Sequence, residues 1–544
     1  MTDLLAAAVA DIGGEERPGQ VAMAEAVELA IETGEHLAVQ AGTGTGKSLA
    51  YLVPAIRHAM TAETTVVVAT ATIALQRQLI DRDLPRLAAA LKPLLGEEPQ
   101  FAILKGRRNY LCLNRQRGGP PEDPQDALWD PADTGPTSPL GLQVKRLHEW
   151  AEQTTTGDRD ELVPGVPEAA WRQVSVSAQE CIGAQRCPFG SRCFAERAKD
   201  AAARADIVVT NHALLAIDAT SDIDVLPEHD VVIVDEAHDL VDRVTSATTG
   251  ELSGPAVDVA ARRAARLTES AATEGAALDV AEGLRKAAAA LSIDLGDAPE
   301  GRMDHLSDTL AATLTSVQDA AGACADAVRA SAAPEEEDPQ RMATARMTLA
   351  SLDELQRTAS RILDVFGEQI TERGEVVWLD RPPDETRRPP TLRVAPLEVG
   401  RVLRSRLFGE RTVALTSATL ALGGSFAPLA IQWGLPPQGG WPSSPEGEEP
   451  ATWKGLDVGS PFDHPRSGIL YVARHLPPPG RDQLPEAYLT ELEELIGAAG
   501  GRTLGLFSSM RAAKEAAGAL RGRISQPLLC QGDDLTAQLV RQFD

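Results

Sequence analysis

The octapeptide "AGTGTGKS", Ala41 to Ser48, has the composition of a loop that wraps phosphate. Gly44 and Gly46 free the backbone to turn its N–H groups toward phosphate oxygens, and a helix starting just after them adds positive potential. Lys47 would reach the β- and γ-phosphates of ATP, and the Ser48 hydroxyl would ligate Mg2+. Gly42, Thr43 and Thr45 complete the cradle, while Ala41 stands where the strict phosphate-loop pattern asks for glycine. A second stretch, "VVIVDEAHDL", ends an apolar run in two carboxylates. Asp235 would hold Mg2+, and Glu236 would orient and deprotonate an attacking water. Together the two stretches predict ATP hydrolysis; neither alone settles it.

Cysteine is the other residue type with chemistry in its spacing. Cys181, Cys187 and Cys193 follow one another with five residues between each, and Cys112 precedes them in the basic segment "KGRRNYLCLNRQR". Four thiolates satisfy one [4Fe-4S] cluster. Four cysteines also make a structural zinc set, although zinc ligands usually come in C-x2-4-C pairs. Cys324 and Cys530 stand apart and read as ordinary buried thiols.

Parallel strands separated by helices must position these groups. "HLAVQ" runs into the phosphate loop, and "LAYLVPAIRHAM" after it has helical spacing. Further short apolar runs at "TVVVAT", "DIVVT", "VVIVD" and "TVALT" predict a parallel sheet buried on both faces. Uneven gaps between these runs mark two insertions. The first holds the basic segment, a Pro/Gly/Asp-rich stretch and the cysteines. The second is helical, with Val280, Leu284, Ala287 and Leu291 recurring at helical spacing, as do Leu352, Leu355, Ala359 and Ile362. The acidic "AAPEEEDPQ" between them reads as a mobile loop. Beyond "LTSATL" a second α/β pattern begins, with "GILYV" and "TLGLF" as strands and "DDLTAQLVRQFD" as a closing amphipathic helix.

The 544 residues exceed one core and read as three or four domains. No run of about 18 uncharged apolar residues occurs, so no membrane span is expected. The N-terminal segment lacks a basic stretch followed by an apolar run and cleavage site, which predicts a cytoplasmic protein with reduced thiols. A net charge of -27 argues globally against a nucleic-acid partner. The basic segment, with Lys105, Arg107, Arg108, Arg115 and Arg117 and no acid among them, argues locally for one.

"KGRRNYLC", the cysteine row, "IVVTNHALL", "VVIVDEAHDL", "APLEVGRVL", "LTSATL" and "SPFD", in that order, resemble the DinG branch of the XPD-like iron–sulfur helicases of superfamily 2. Ala41 suits that class, whose phosphate loop is commonly A-x-x-G-x-G-K-[ST]. The resemblance implies an α/β fold: a RecA-like parallel-sheet motor domain with an iron–sulfur insertion and a helical arch insertion, followed by an incomplete second RecA-like domain. The boundaries expected are 1–104 with 206–245 and 385–425 for the first motor domain, 105–205 for the iron–sulfur domain, 246–384 for the arch and 426–544 for the second motor domain. It further implies a monomer that moves 5'-to-3' on single-stranded DNA with ATP, Mg2+ and a [4Fe-4S] cluster, opening forked and RNA-containing duplexes in repair or replication. Gln20 would read the adenine edge, His238 would couple hydrolysis to movement, and Ser417 and Thr419 of "LTSATL" would link nucleotide and strand sites. Cys112, Cys181, Cys187 and Cys193 would ligate the cluster, and Arg107, Arg108 and Tyr110 would touch DNA.

The family's Q-x-x-G-R-x-x-R stretch, whose arginines complete the ATP site, has no counterpart before Asp544. Arginines at that place are worth several orders of magnitude in rate. The expectation is a fragment of a longer helicase. The rival reading is an iron–sulfur module that binds ATP and single-stranded DNA without productive unwinding. An RNA-directed D-E-A-H helicase is a third reading, disfavoured by the cysteine insertion.

Overall fold

The computed structural model describes all residues except 12, 118–138, 221–224, 270–275, 332–338, 383–388, 438–451, 479–483, 534–538, 540, 541 and 544. Most of the acidic break at 332–340 and of the expected closing helix at 533–544 therefore lies outside the described residues.

The apolar runs become strands. In chain order these are β1 (His36–Gln40), β2 (Val66–Thr70), β3 (Phe101–Ile103), β4 (Ile207–Asn211), β5 (Val231–Asp235), β6 (Gly250–Leu252), β7 (Gly301–Arg302), β8 (Glu375–Asp380), β9 (Thr391–Pro396), β10 (Thr412–Ser417) and β11 (Trp453–Asp457). Seven of them form one sheet in the order β11-β1-β10-β5-β2-β4-β3, and every pairing in it is parallel. Alternate residues serve opposite faces. Leu37, Val39, Val66, Val68, Ile207, Val209, Val231 and Ile233 pack under Thr2–Asp11, Pro18–Thr33, Lys47–Ala62 and Leu84–Leu95. Ala38, Val67, Ala69, Val208, Val232, Val234, Val413 and Leu415 pack under helices that include His212–Thr220, Leu240–Thr248 and Ala427–Trp433. Both faces are dry, which is why these strands read as unbroken β-branched runs.

Register decides what the sheet can do. Gln40 lies opposite Ser417, and Thr416 lies opposite Asp235. The carboxyl ends of β1, β10 and β5 are thus side by side, where ligands of open parallel sheets bind.

Each insertion has its own core. Between β3 and β4, Tyr110, Leu111, Leu147, Leu162, Trp171 and Phe194 cluster around the helices Pro139–Ala151 and Phe194–Ala202. Between β5 and β10, the long helices Gly254–Glu269, Ala276–Asp297, Asp308–Ser331 and Pro339–Gly367 pack together, with Leu284, Leu291, Leu352 and Ile362 fully buried. They lie against a four-stranded sheet in the order β6-β9-β8-β7, whose pairings are antiparallel.

Two boundaries differ from expectation. β9, placed by sequence with the first motor domain, pairs instead with β6 and β8. Leu392 and Val394 point inward and alternate with polar neighbours, the signature of a half-buried antiparallel strand. β11, placed in the second motor domain, extends the first sheet as a solvent-facing edge beside β1. "WKGLD" has no apolar run because an open edge asks for none.

The chain divides into two compact units, Met1–Pro461 and Phe462–Asp544. Among its described residues the second unit has the helices His464–Ser467, Glu486–Ala498 and Met510–Leu520 and no strand. "GILYV" and "TLGLF" are not strands there; Ile469 and Leu470 are 98% and 91% exposed, and Leu506 is 87% exposed. Two short apolar segments with no neighbouring strands to pair with bury too little surface to offset the entropy of ordering them.

Leu284→Ala, at a fully buried site of the helical insertion, is expected to cost about 2–5 kcal/mol of local stability, read as accelerated amide exchange in the four long helices. Exchange unchanged in those helices would show that they do not share the core described.

Candidate active site

The phosphate loop leaves β1 at Gln40 and enters the helix Lys47–Ala62. Gly46 has φ +88°, and a Cβ there would stand 2.2 Å from Gln20 Nε2. Only glycine both takes that conformation and admits the amide so close. Gln20 is buried and its Nε2 donates to the Gly46 carbonyl at 3.1 Å, so the amide assigned to adenine here braces the loop. Thr45 Oγ1 donates to the Gly42 carbonyl at 2.7 Å, and the Gly42 amide donates to the Gly459 carbonyl at 2.9 Å. Ala41 is fully buried, and its amide donates to the Ser417 carbonyl at 2.9 Å.

Four side chains from three motifs form one hydrogen-bonded chain. Lys47 Nζ stands 3.0 Å from Glu236 Oε1. Ser417 Oγ donates to Glu236 Oε2 at 2.9 Å, and His238 Nδ1 lies 2.8 Å from the same Oγ. Since the hydroxyl has one proton and gives it to the carboxylate, His238 Nδ1 is the donor to it. The Thr419 amide faces Ser417 Oγ at 3.4 Å. Glu236 takes φ +55°, a left-handed conformation that costs about 1–3 kcal/mol in a residue with a side chain. Burial would raise its pKa, but the Lys47 ammonium and the Ser417 hydroxyl bring it below the usual carboxylate value. Asp235 shifts the other way: burial pushes it up, against the pull of Lys47. Its Oδ1 accepts the Glu236 amide at 3.0 Å and its Oδ2 accepts the Tyr51 hydroxyl at 3.0 Å. Behind it, His212 Nε2 donates to the Asp235 carbonyl at 2.8 Å, and burial lowers that imidazole's pKa to about 4, so it is neutral.

Cys112, Cys181, Cys187 and Cys193, all free and partly buried, line one cavity with Arg107, Tyr110, Leu113, Val176 and Phe189. Gly190 lets the cysteine loop close, since a Cβ there would meet Ala184 O at 2.0 Å. The Gly183 amide donates to Cys181 Sγ at 3.4 Å, and Arg107 Nη1 lies 3.9 Å from Cys193 Sγ. Burial raises the pKa of Cys112 and of Cys187. Among the described residues no three His, Cys, Asp or Glu side chains converge tightly enough to grip a single ion. Four thiols lining one cavity could hold one inorganic core in common.

The basic segment is not the open cationic face its composition suggested. Lys105 is buried between Asp158 and Asp160, at 2.6 Å from each. Arg107 pairs with Glu196, Arg115 lies 3.6 Å from Met347 Sδ of the helical insertion, and Arg117 stacks over Phe189. Tyr110 is 5% exposed and its hydroxyl accepts the Lys105 amide, so the structure does not present its ring to solvent. Arg107 faces the cysteines rather than solvent. Arg108 alone of the three proposed contacts is exposed.

A profile described as DEAD/DEAH box helicase matches residues 18–99. The "ATP-dependent helicase DinG" of Mycobacterium tuberculosis is 52% identical over 99% of this chain and 78% of its own length. The chain belongs to the DinG family of ATP-dependent helicases. The "ATP-dependent DNA helicase YoaA" of Escherichia coli is 30% identical over 98% of this chain and 77% of its own. A solved XPD helicase structure superposes over 94% of the chain and 75% of its own at 14% identity and a TM-score of 0.43, too slight a likeness to argue from. Among the described residues no helix of this DinG-family chain is long and apolar enough to cross a membrane.

Four residues that shape these sites carry no signal in the sequence. Tyr51 sat unremarked in an apolar helical run. Gln40 Oε1 accepts the Leu420 and Ala421 amides at 2.8 and 2.7 Å while its Nε2 donates to Asp457 Oδ2 at 2.8 Å, tying β1 to both neighbouring strand exits. Asp158 and Asp160 lie more than fifty residues from the lysine they neutralise, and no spacing rule links them.

Lys105→Met strands two buried carboxylates, and breaking such a pair costs about 3–5 kcal/mol. The expected outcome is a cysteine-bearing insertion that is cut faster by protease while ATP affinity is kept; an equally resistant insertion would refute the anchoring role.

Proposed function

We propose that this DinG-family helicase couples ATP hydrolysis to 5'-to-3' movement along single-stranded DNA and opens forked or RNA-containing duplexes in repair or replication, working as a cytoplasmic monomer. The observation that carries the reading is the unbroken chain Lys47, Glu236, Ser417, His238. In it the group that would hold phosphate, the group that would activate water and the exit of β10 share one set of protons.

In this reading the amides of Thr43, Gly44 and Gly46 face the triphosphate, while those of Gly42 and Thr45, which donate to the Gly459 and Gly42 carbonyls, hold the loop in shape. Lys47 leaves Glu236 for the β- and γ-phosphates, exchanging one anion for another. Glu236, relieved of its cation, accepts a proton from water lined up on the γ-phosphorus. Ser48 and Asp235 would hold Mg2+, which when bound neutralises charge on the phosphate oxygens. Ser417 and His238, bonded to Glu236, register its change of partner, and Thr419 next to them passes it toward the DNA. Gln20 holds Gly46 and presents the remainder of its amide toward the base.

The four cysteines would hold a [4Fe-4S] cluster, whose part is to fasten the insertion's loops together. Their shared cavity, the amide and guanidinium donors aimed at sulfur and the apolar lining support that reading over zinc. Arg108 is an exposed cation of the segment and the candidate for the phosphate backbone.

Lys47→Ala is expected to lower ATP turnover at least a hundredfold, with single-stranded DNA binding retained; turnover near wild type would remove the phosphate-loop assignment. Steady-state ATPase should rise with single-stranded DNA, and 5'-tailed duplexes should open while 3'-tailed ones persist. No stimulation would leave only the binding-module reading, and opening of 3'-tailed duplexes alone would reverse the polarity. Cys187→Ser should lose the broad visible absorbance of the anaerobically purified protein. Stoichiometric zinc without iron in the wild type would replace the cluster with a zinc site.

A further inference from the structure

The Tyr51 hydroxyl is buried at the centre of the nucleotide site with no apolar reason to be there. The ring belongs to the core under the sheet, where phenylalanine would pack as well, and Tyr51 is fully inaccessible. A buried hydroxyl costs free energy unless it is bonded. This one donates to Asp235 Oδ2 at 3.0 Å. With the Glu236 amide on Oδ1 at 3.0 Å, both oxygens of Asp235 are held. Lys47, the nearby cation, is engaged with Glu236 and makes no ion pair with Asp235.

We infer that Tyr51 is a positioning residue for Mg2+: its hydroxyl holds Asp235 Oδ2 and fixes the plane of the Asp235 carboxylate before metal and nucleotide arrive. The inference rests on the reading of Ser48 and Asp235 as the Mg2+ pair. Partners that orient metal ligands in this way are worth about 10- to 100-fold in metal affinity or activity. Without the hydroxyl, Asp235 Oδ2 is buried and unpaired, and the nearest cation it can turn to is Lys47. The carboxylate then leaves the orientation that metal requires, and the lysine is drawn from its own task.

The test is Tyr51→Phe, which keeps the ring and deletes one oxygen. Binding of a fluorescent ATP analogue is titrated with Mg2+ and repeated in EDTA. The expected result is a half-saturating Mg2+ concentration raised about tenfold or more, with affinity in EDTA unchanged. An unshifted Mg2+ curve overturns the role of Tyr51, and so does an affinity loss equal with and without Mg2+, which marks simple packing. If the wild-type protein itself binds nucleotide independently of Mg2+, the metal reading of Ser48 and Asp235 falls, and this inference with it. An Asp235→Asn background supplies the second arm, since it leaves no buried charge to destabilise the fold. There Tyr51→Phe should add no further shift, and a shift of undiminished size would overturn action through Asp235.

Discussion

The contact between Lys47 and Glu236 is the constraint around which the site is built. Their side chains are 13% and 25% exposed, so each charge has lost much of its water and depends on the other. In the proposed cycle this pair is exchanged rather than broken, because the phosphate that would displace the carboxylate offers the lysine the same sign of charge. The carboxylate would keep the Ser417 hydroxyl, with His238 3.5 Å away, and its unfavourable backbone conformation, the condition proposed for a group that takes a proton.

That exchange needs loop, β5 exit and β10 exit fixed to within a fraction of a bond length, and the sheet supplies this. The five inner parallel strands β1, β10, β5, β2 and β4, buried on both faces, leave no freedom to slip, since a one-residue shift would turn every valine of one face toward the other. Gln40 adds a side-chain brace at the edge where the ladder ends, spanning from β10's exit to β11. The two insertions interrupt the chain after β3 and after β5 without interrupting the ladder. Each folds on its own apolar cluster, and so demands nothing of the sheet's packing.

Central elements were legible because burial on both faces forces an unmistakable composition. "VVIVD" and "TVALT" can hardly be anything but inner strands, and the glycines and carboxylates at their ends inherit fixed positions. The edge strand "WKGLD" and the half-buried "TLRVAP" were lost because their patterns answer to one neighbour rather than two faces. In the second unit the fault ran the other way: "GILYV" has strand composition, but composition expresses what a segment can bury, and its partners decide whether it does. Tyr51 was illegible for a different reason. An aromatic at helical spacing reads as core, and here it is core; only the atom at the end of its ring has another task.

The basic segment carries the wider lesson about charge. Five cations with no intervening acid predict a strong local field, yet Lys105 answers Asp158 and Asp160, and Arg107 answers Glu196, all brought from elsewhere in the insertion. The Arg115 and Arg117 guanidinium groups rest against Met347 and Phe189. Most of the run therefore works inside the protein, pinning the cysteine loops to the sheet edge and to the helical insertion. In a chain of net charge -27 this has a consequence for any polyanion drawn to it. Attraction cannot come from the overall field, which repels, and must come from the few exposed arginines within a Debye length of about 8–10 Å. A strand guided in that way is held by short-range contacts that break and re-form one at a time, which is compatible with the translocation proposed above.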